Sequence, residues 1–306
     1  MGALDGKVAI VTGAGRGIGR GEARLLAAEG AQVVVNDVGA AREGDGTDAT
    51  PAQEVVDEIV ADGGAAVANT DDIASFAGAE RLVAQAVDTY GKLDILVNNA
   101  GILRDAMSFN MDESAWDSVI RVHLKGHFAP CHFAAKHWRA RAKAGEDGLS
   151  GRIINTASES GLFGNAGQAN YAAAKSGIVS MTVVLARELA KYGVTANAIA
   201  PRARTRLTAT VGGADSFMAP KEGEYDPWDP DNIAPTVGFL ASDAAADISG
   251  QVFVVWGARV YLMAPWQLAA TLDRGDARWT VAELIERKGE LFADRSSAIP
   301  PMGFGL

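Results

Sequence analysis

From residue 7 to about residue 257, short β-rich apolar runs alternate with amphipathic helical stretches. This alternation predicts parallel strands joined by crossover helices. Seven strands are expected, at Val8–Val11, Gln32–Asn36, Ala65–Asn69, Leu93–Val97, Arg152–Thr156, Val194–Ile199 and Val252–Val255. Most are continuous apolar runs, so both faces of the sheet need a cover of helices. The expected fold class is α/β, a doubly wound seven-stranded parallel sheet in three layers, α/β/α.

No internal repeat and no long linker divides this region, which is expected to form a single domain over residues 1–257. Residues 258–306 form a C-terminal extension, with a helix expected from Thr280 to Phe292. Two segments break the rhythm. Gly39–Pro51 is polar and reads as an exposed loop after the second strand. The stretch 207–231 mixes Pro220, Pro227 and Pro230 with Phe217, Met218, Tyr225 and Trp228. That composition suits a lid over a hydrophobic ligand, and equally an ordinary surface excursion.

With 306 residues, 48% of them hydrophobic, the chain can bury a large core. No apolar run approaches the ~20 residues that span a bilayer. The first seven residues lead into a strand without the features of a secretory signal, and a cytoplasmic location is expected. A formal net charge of −10 opposes attraction to nucleic acid and to anionic membranes. Cys131 is the only cysteine, which excludes an internal disulfide and a cysteine-based zinc cage, and it reads as a small buried side chain.

Candidate chemistry begins at Thr12-Gly13-Ala14-Gly15-Arg16-Gly17-Ile18-Gly19, which follows the first strand and opens a helix near Arg20. Free amides at a helix start attract phosphate, and glycine lets a pyrophosphate approach the backbone. Asp37 closes the second strand, where a carboxylate accepts the ribose hydroxyls of a dinucleotide and repels a 2′-phosphate. NAD is therefore expected over NADP. Arg16 is the counter-argument, as a base that can host that phosphate, although a solvated arginine explains it as well. Farther on, Tyr171 and Lys175 stand four apart in a helical segment, sharing one face. An ammonium beside a phenol favours the phenolate, which makes Tyr171 a general acid/base. Ser158, thirteen residues earlier, ends the fifth strand and can hydrogen-bond the reacting oxygen.

Glycine loop, carboxylate, serine and Tyr–Lys pair, in this order on these elements, resemble the short-chain dehydrogenase/reductase family over roughly residues 5–257. The resemblance implies a Rossmann-type fold, a nicotinamide cofactor and oxidation of a secondary alcohol. It places Asp72 and Ile73 at the adenine, and Asn99, Ala100 and Gly101, in Asn98-Asn99-Ala100-Gly101, beside the adenosine. It also assigns Pro201 and Thr205, with Tyr171 and Lys175, to cofactor binding, and implies a homotetramer or homodimer. The strings Asn98 to Asp105, Arg121-Val122-His123-Leu124 and Gly164 to Tyr171 look like the (3R)-hydroxyacyl-CoA dehydrogenase domains of peroxisomal multifunctional enzymes. That branch implies a hydrophobic alcohol or ketone carried as a CoA thioester.

Two positions depart from the family pattern. Arg202 follows Pro201 where glycine is usual, and His123 replaces the asparagine that anchors an active-site water. A histidine there is a candidate proton relay. Arg202, Arg204 and Arg206 alternate after the sixth strand, and either bind CoA phosphates or pair with the protein's own carboxylates. His123 and His127 lack a third partner, so no metal site is expected. The residues leave three other readings open: a steroid or other hydrophobic alcohol dehydrogenase, a non-redox dehydratase or epimerase, and a vestigial nucleotide sensor.

Overall fold

The computed structural model describes residues 2–40, 44, 46–205, 218–264 and 266–292. Arg206 and residues 207–217 of the expected lid lie outside the described residues. The elements run β1 (Val8–Thr12), α1 (Gly17–Ala28), β2 (Gln32–Asn36), α2 (Thr50–Ala61), β3 (Ala65–Asn69), α3 (Phe76–Tyr90), β4 (Ile95–Asn98) and α4 (Glu113–Ile120). They continue through α5 (Gly126–Lys143), β5 (Gly151–Thr156), α6 (Glu159–Phe163), α7 (Ala169–Leu189), β6 (Val194–Arg202), α8 (Ala234–Ala241), β7 (Val252–Trp256) and β8 (Arg259–Leu262).

The strands form one sheet in the order β3-β2-β1-β4-β5-β6-β7-β8. β1 to β7 are mutually parallel, and β8 returns antiparallel along β7. All seven expected parallel strands are present, and β8 is an addition that the expected seven-stranded sheet did not include. The eighth, Arg259-Val260-Tyr261-Leu262, lies beyond the last crossover helix, so the alternation of strand and helix does not announce it, and it forms the exposed edge of the sheet.

Alternate residues of the apolar strands serve opposite layers. Val8, Ile10, Val34, Leu96 and Ile153 pack under α3, α5 and α7 with Leu82, Trp138 and Leu189. Ala9, Val11, Val35, Val97 and Ile199 pack on the other face against Leu26 of α1, Val55 of α2 and Leu240 of α8. Burial on both faces explains why no polar alternation shows in the sequence. Cys131 is buried in the first of these layers, as expected.

The chain divides into two compact units, Met1–Met263 and Ala264–Leu306. In the second, the expected helix from Thr280 to Phe292 is two short ones, Val281–Glu286 and Lys288–Phe292. Thr280 caps the first by accepting from the Glu283 amide, while the Glu283 carboxylate accepts from the Thr280 amide.

Glu22 of α1 is fully buried, and neither carboxyl oxygen has a hydrogen-bond partner among the described residues. Burial pushes its pKa up to about 8. The native state thus holds a proton that the unfolded chain has released above its ordinary value, and stability falls as pH rises from the carboxylate range towards 8. We expect the slope to approach about 1.4 kcal/mol per pH unit between about pH 5 and about pH 8. Glu22→Gln should flatten it, measured by urea unfolding across that range. An unchanged slope would remove Glu22 as its source.

Candidate active site

In a doubly wound sheet the crossovers reverse direction beside β1, opening a crevice at the carboxyl ends of the strands. Here that crevice is a cavity of about 370 Å³. Gly13, Arg16, Gly17 and Ile18 line one part of it. Gly15 and Gly19 turn away, packing against Asp37 and Asn99. The loop is pinned from the neighbouring strand: Asn99 Nδ2 donates to the carbonyls of Thr12 and Gly13, at 3.0 Å each. Thr12 Oγ1 accepts from the Asn99 amide at 3.0 Å. Thr12 opens the glycine string, and beyond that place no sequence signal marks the pinning role of its hydroxyl.

Asp37 lines the same cleft. Its Oδ2 accepts from the Gly15 amide at 2.9 Å and its Oδ1 from the Gly39 amide at 2.7 Å, which orients the carboxylate beside the glycine loop. Asp72 and Ile73 lie across from it, with Asp72 bound to Arg121 at 2.8 Å. Asn99, Ala100, Gly101, Pro201 and Thr205 complete the lining expected for a dinucleotide. The residues fit such a ligand on one further observation. Gly17 opens α1 with φ +53°, and a Cβ there would meet only Thr205 Cγ2, at 3.8 Å, so the backbone is bare toward the cleft. The first-turn amides of α1 have no carbonyl to bond within the helix and remain for a phosphate.

At the other end of the cleft stand Ser158, Tyr171 and Lys175. Ser158 is the N-cap of α6, accepting from the Ser160 amide at 3.2 Å, and its hydroxyl is near enough to Tyr171 to work against the rise in the phenol's pKa. Tyr171 and Lys175 share a face of α7, with Nζ 5.5 Å from the centre of the phenol ring. Nζ donates to the Thr156 carbonyl at 2.6 Å.

The electrostatics correct the expectation that the lysine draws the phenol towards neutrality. Burial pushes the Tyr171 pKa up to about 12, against the lowering effect of the Ser158 hydroxyl. Burial also brings Lys175 down to about 7, so the ammonium is itself on the point of losing its charge. A half-charged amine at this distance does not offset the dehydration of a phenolate.

His123 does not have the surroundings of a relay. Burial and the charge of Lys175 push its pKa down to about 3, so the ring is neutral. Nε2 lies 3.1 Å from the Ile102 amide and 2.8 Å from its carbonyl, pinning the chain after Gly101. The ring stands edge-on to Tyr171, centres 5.1 Å apart. A Cβ at position 101 would fall 2.4 Å from His123 Cε1, so this histidine requires Gly101. His123 is carried by a π-helical turn, Arg121–Lys125, between α4 and α5.

Two members of the arginine run are paired internally. Arg202 holds Glu159, and Arg204 holds Asp226 at 2.6 Å. Carboxylate pairing is therefore the reading these two favour over coenzyme phosphates. No group of three His, Cys, Asp or Glu side chains is placed to hold a metal among the described residues. None of the described helices is long and apolar enough to cross a membrane.

A family model described as short chain dehydrogenase matches residues 7–213. The chain is 50% identical over 297 residues to the hydroxyacyl-CoA dehydrogenase ChsB1 of Mycobacterium tuberculosis, covering 95% of this chain and 90% of that one. It is 38% identical over 300 residues to the peroxisomal hydratase-dehydrogenase-epimerase of Neurospora crassa, spanning 98% of this chain but 31% of that larger protein. A crystal structure of a short chain dehydrogenase from Mycobacterium avium superposes with a TM-score of 0.87 at 46% identity, covering 99% of this chain and all of that one. This chain belongs to the short-chain dehydrogenase family. It is an NAD(P)-dependent oxidoreductase acting on a hydroxyl or keto group. The cytoplasmic location expected above is overturned by relatives named as peroxisomal, from Neurospora crassa, Mus musculus and Drosophila melanogaster.

Lys175 offers a test of the site's dryness. Its native pKa of about 7 lies below the ordinary 10.5, so between those values the unfolded chain holds the extra proton and stability rises with pH. Lys175→Met should abolish that rise, and should unfold at higher urea than the parent near about pH 6. Parallel pH dependences in parent and variant would show that the amine is solvated.

Proposed function

We propose that this chain is an NAD-dependent dehydrogenase interconverting a 3-hydroxyacyl-CoA and a 3-oxoacyl-CoA. The observation carrying this reading is that Ser158, Tyr171 and Lys175 converge on one end of the cleft that holds Asp37 and the glycine loop at the other. The thioester is supported by the 50% identity to a protein named hydroxyacyl-CoA dehydrogenase.

A bound nicotinamide dinucleotide supplies the hydride chemistry. This chain's own residues position the substrate and move the proton. Ser158 Oγ, fixed at the start of α6, orients the substrate oxygen. Tyr171 Oη gives its proton to that oxygen in reduction and takes one in oxidation. With its pKa pushed up to about 12, the phenol is protonated at neutral pH and is primed as the donor. Lys175, near 7, exchanges its proton at working pH and stabilises the phenolate while charged. His123, edge-on to the phenol, restricts its ring. Assembly as a homodimer or homotetramer is part of this reading, supported by the half-exposed aromatic pair Phe76 and Phe128, rings 6.1 Å apart on α3 and α5.

Reduced-nicotinamide absorbance with 3-hydroxyacyl-CoAs of several chain lengths, a steroid alcohol and simple secondary alcohols tests the substrate. The CoA thioesters should give the highest kcat/KM, and Tyr171→Phe should lower kcat by about 100-fold or more. Equal rates with the free hydroxy acids would overturn the thioester assignment.

The carboxylate of Asp37 carries the cofactor preference. Asp37→Ala should weaken NAD binding and narrow the gap to NADP by about tenfold or more, read as the ratio of kcat/KM for the two. An unaltered ratio would assign the preference elsewhere.

A further inference from the structure

β6 ends at Arg202, the residue standing where the family commonly has glycine. Its guanidinium grips Glu159 at two points, Nη2 donating to Oε1 at 2.6 Å and Nε to Oε2. Glu159 follows Ser158 directly and is the first residue of α6. On its other side the guanidinium lies over the ring of Trp256, 5.5 Å from the centroid. Arg259 of β8 also lies over that ring, at 5.2 Å. Strand register sets up this arrangement, because Arg202 and Arg259 are each the partner of Trp256 in the sheet.

The side chains of Arg202 and Glu159 are 18% and 23% exposed, so solvent screens the pair little. Neither lines the cleft, yet each is next in sequence to residues that do: Ser158 on one wall, Pro201 and Ala203 on the other. α6 has five residues and no fully buried side chain. Its core packing is limited to Leu162 and the close approach of Gly161 to α7, so a polar brace can still set the turn that presents the Ser158 hydroxyl. A forked arginine–carboxylate pair fixes distance and orientation together.

We propose that Arg202 and Glu159 form a positioning clamp that braces the Ser158 wall against the Pro201–Thr205 wall, setting where the Ser158 hydroxyl meets Tyr171. Trp256 and Arg259 anchor the clamp to the antiparallel edge of the sheet. The clamp acts through Ser158 and not through a contact with substrate. Its contribution falls on turnover and leaves affinity for the dinucleotide unchanged. Glu159 and Arg202 also form a matched pair, since either one alone would leave a largely buried charge without its partner.

A double-mutant cycle on the full-length protein tests this. Glu159→Ala, Arg202→Ala and the double variant would be assayed with NAD and 3-hydroxybutyryl-CoA. A simple secondary alcohol replaces the thioester if the latter does not turn over, so failure of the substrate assignment does not touch the clamp. NAD affinity is read separately by quenching of tryptophan fluorescence. Each single change should lower kcat by about tenfold with the dissociation constant for NAD within about twofold, and the double variant should lose no more than either single one. Arg202→Lys, keeping the charge without the fork, should recover only part of the loss. Losses that multiply, equal losses in kcat and NAD affinity, or full recovery with lysine would each overturn the proposal. Should Arg202→Ala fail to fold, the lysine variant and Glu159→Gln carry the same comparison, with a kcat equal to the parent's counting against it.

Discussion

The bond from Lys175 to the carbonyl of Thr156 is the contact around which the catalytic half of this molecule is organised. A buried amine needs an acceptor, and this one is the last carbonyl of a central strand. One residue back along the strand, Asn155 Nδ2 donates to Thr182 Oγ1 of α7 at 2.9 Å. Asn155 in turn accepts from Asn98 on β4, also at 2.9 Å. A polar seam thus runs through an apolar interior from β4 across β5 to α7. It fixes how far α7 can slide, and the height of Tyr171 over the cleft follows from it.

Much of this was legible in the sequence because it is local. Strand, glycine loop, helix and acid succeed one another within the span from Val8 to Asp37, and the Tyr171–Lys175 spacing is a property of one helix. The strand positions hold to within a few residues for the same reason, since continuous apolar runs mark strands covered on both sides. What escaped depends on contacts between distant segments. Neither the carboxylate facing Arg202 nor the backbone group facing His123 is near it in the chain: Glu159 is 43 positions away and Ile102 is 21. The proton affinities of Tyr171 and Lys175 escaped for a related reason. Proximity of a base to a phenol shows in the spacing, whereas the depth at which both are dehydrated does not, and depth decides the sign.

The edge hairpin shows how a peripheral element bears on the centre. β8 adds little to the core, with its residues exposed or half-exposed. It nevertheless places Arg259 on Trp256, whose ring supports Arg202 from below and meets Trp228 at 5.4 Å. Arg204 and Asp226 close the same region with a second pair, and the Arg204 amide donates to the Trp228 carbonyl at 2.7 Å. The segment leading out of β6 is thereby held to the chain that leads into α8.

The π-helical turn at Arg121–Lys125 has a geometric outcome of its own. One residue more than an α-turn holds puts the rods on either side about 100° out of phase. α4 and α5 look like one helix in the sequence, yet they present faces that a single periodicity would never align. His123 swings under Tyr171 while the residues after Gly126 resume facing α3, leaving the His123 and His127 rings 6.4 Å apart. Were this turn to become plain α-helix with all its residues kept, everything downstream on α5 would rotate by about 100°, moving Trp138 and Cys131 off the sheet they now cover. The chain carries a frame-shift in its helix that the protein cannot lose without losing one of its two layers.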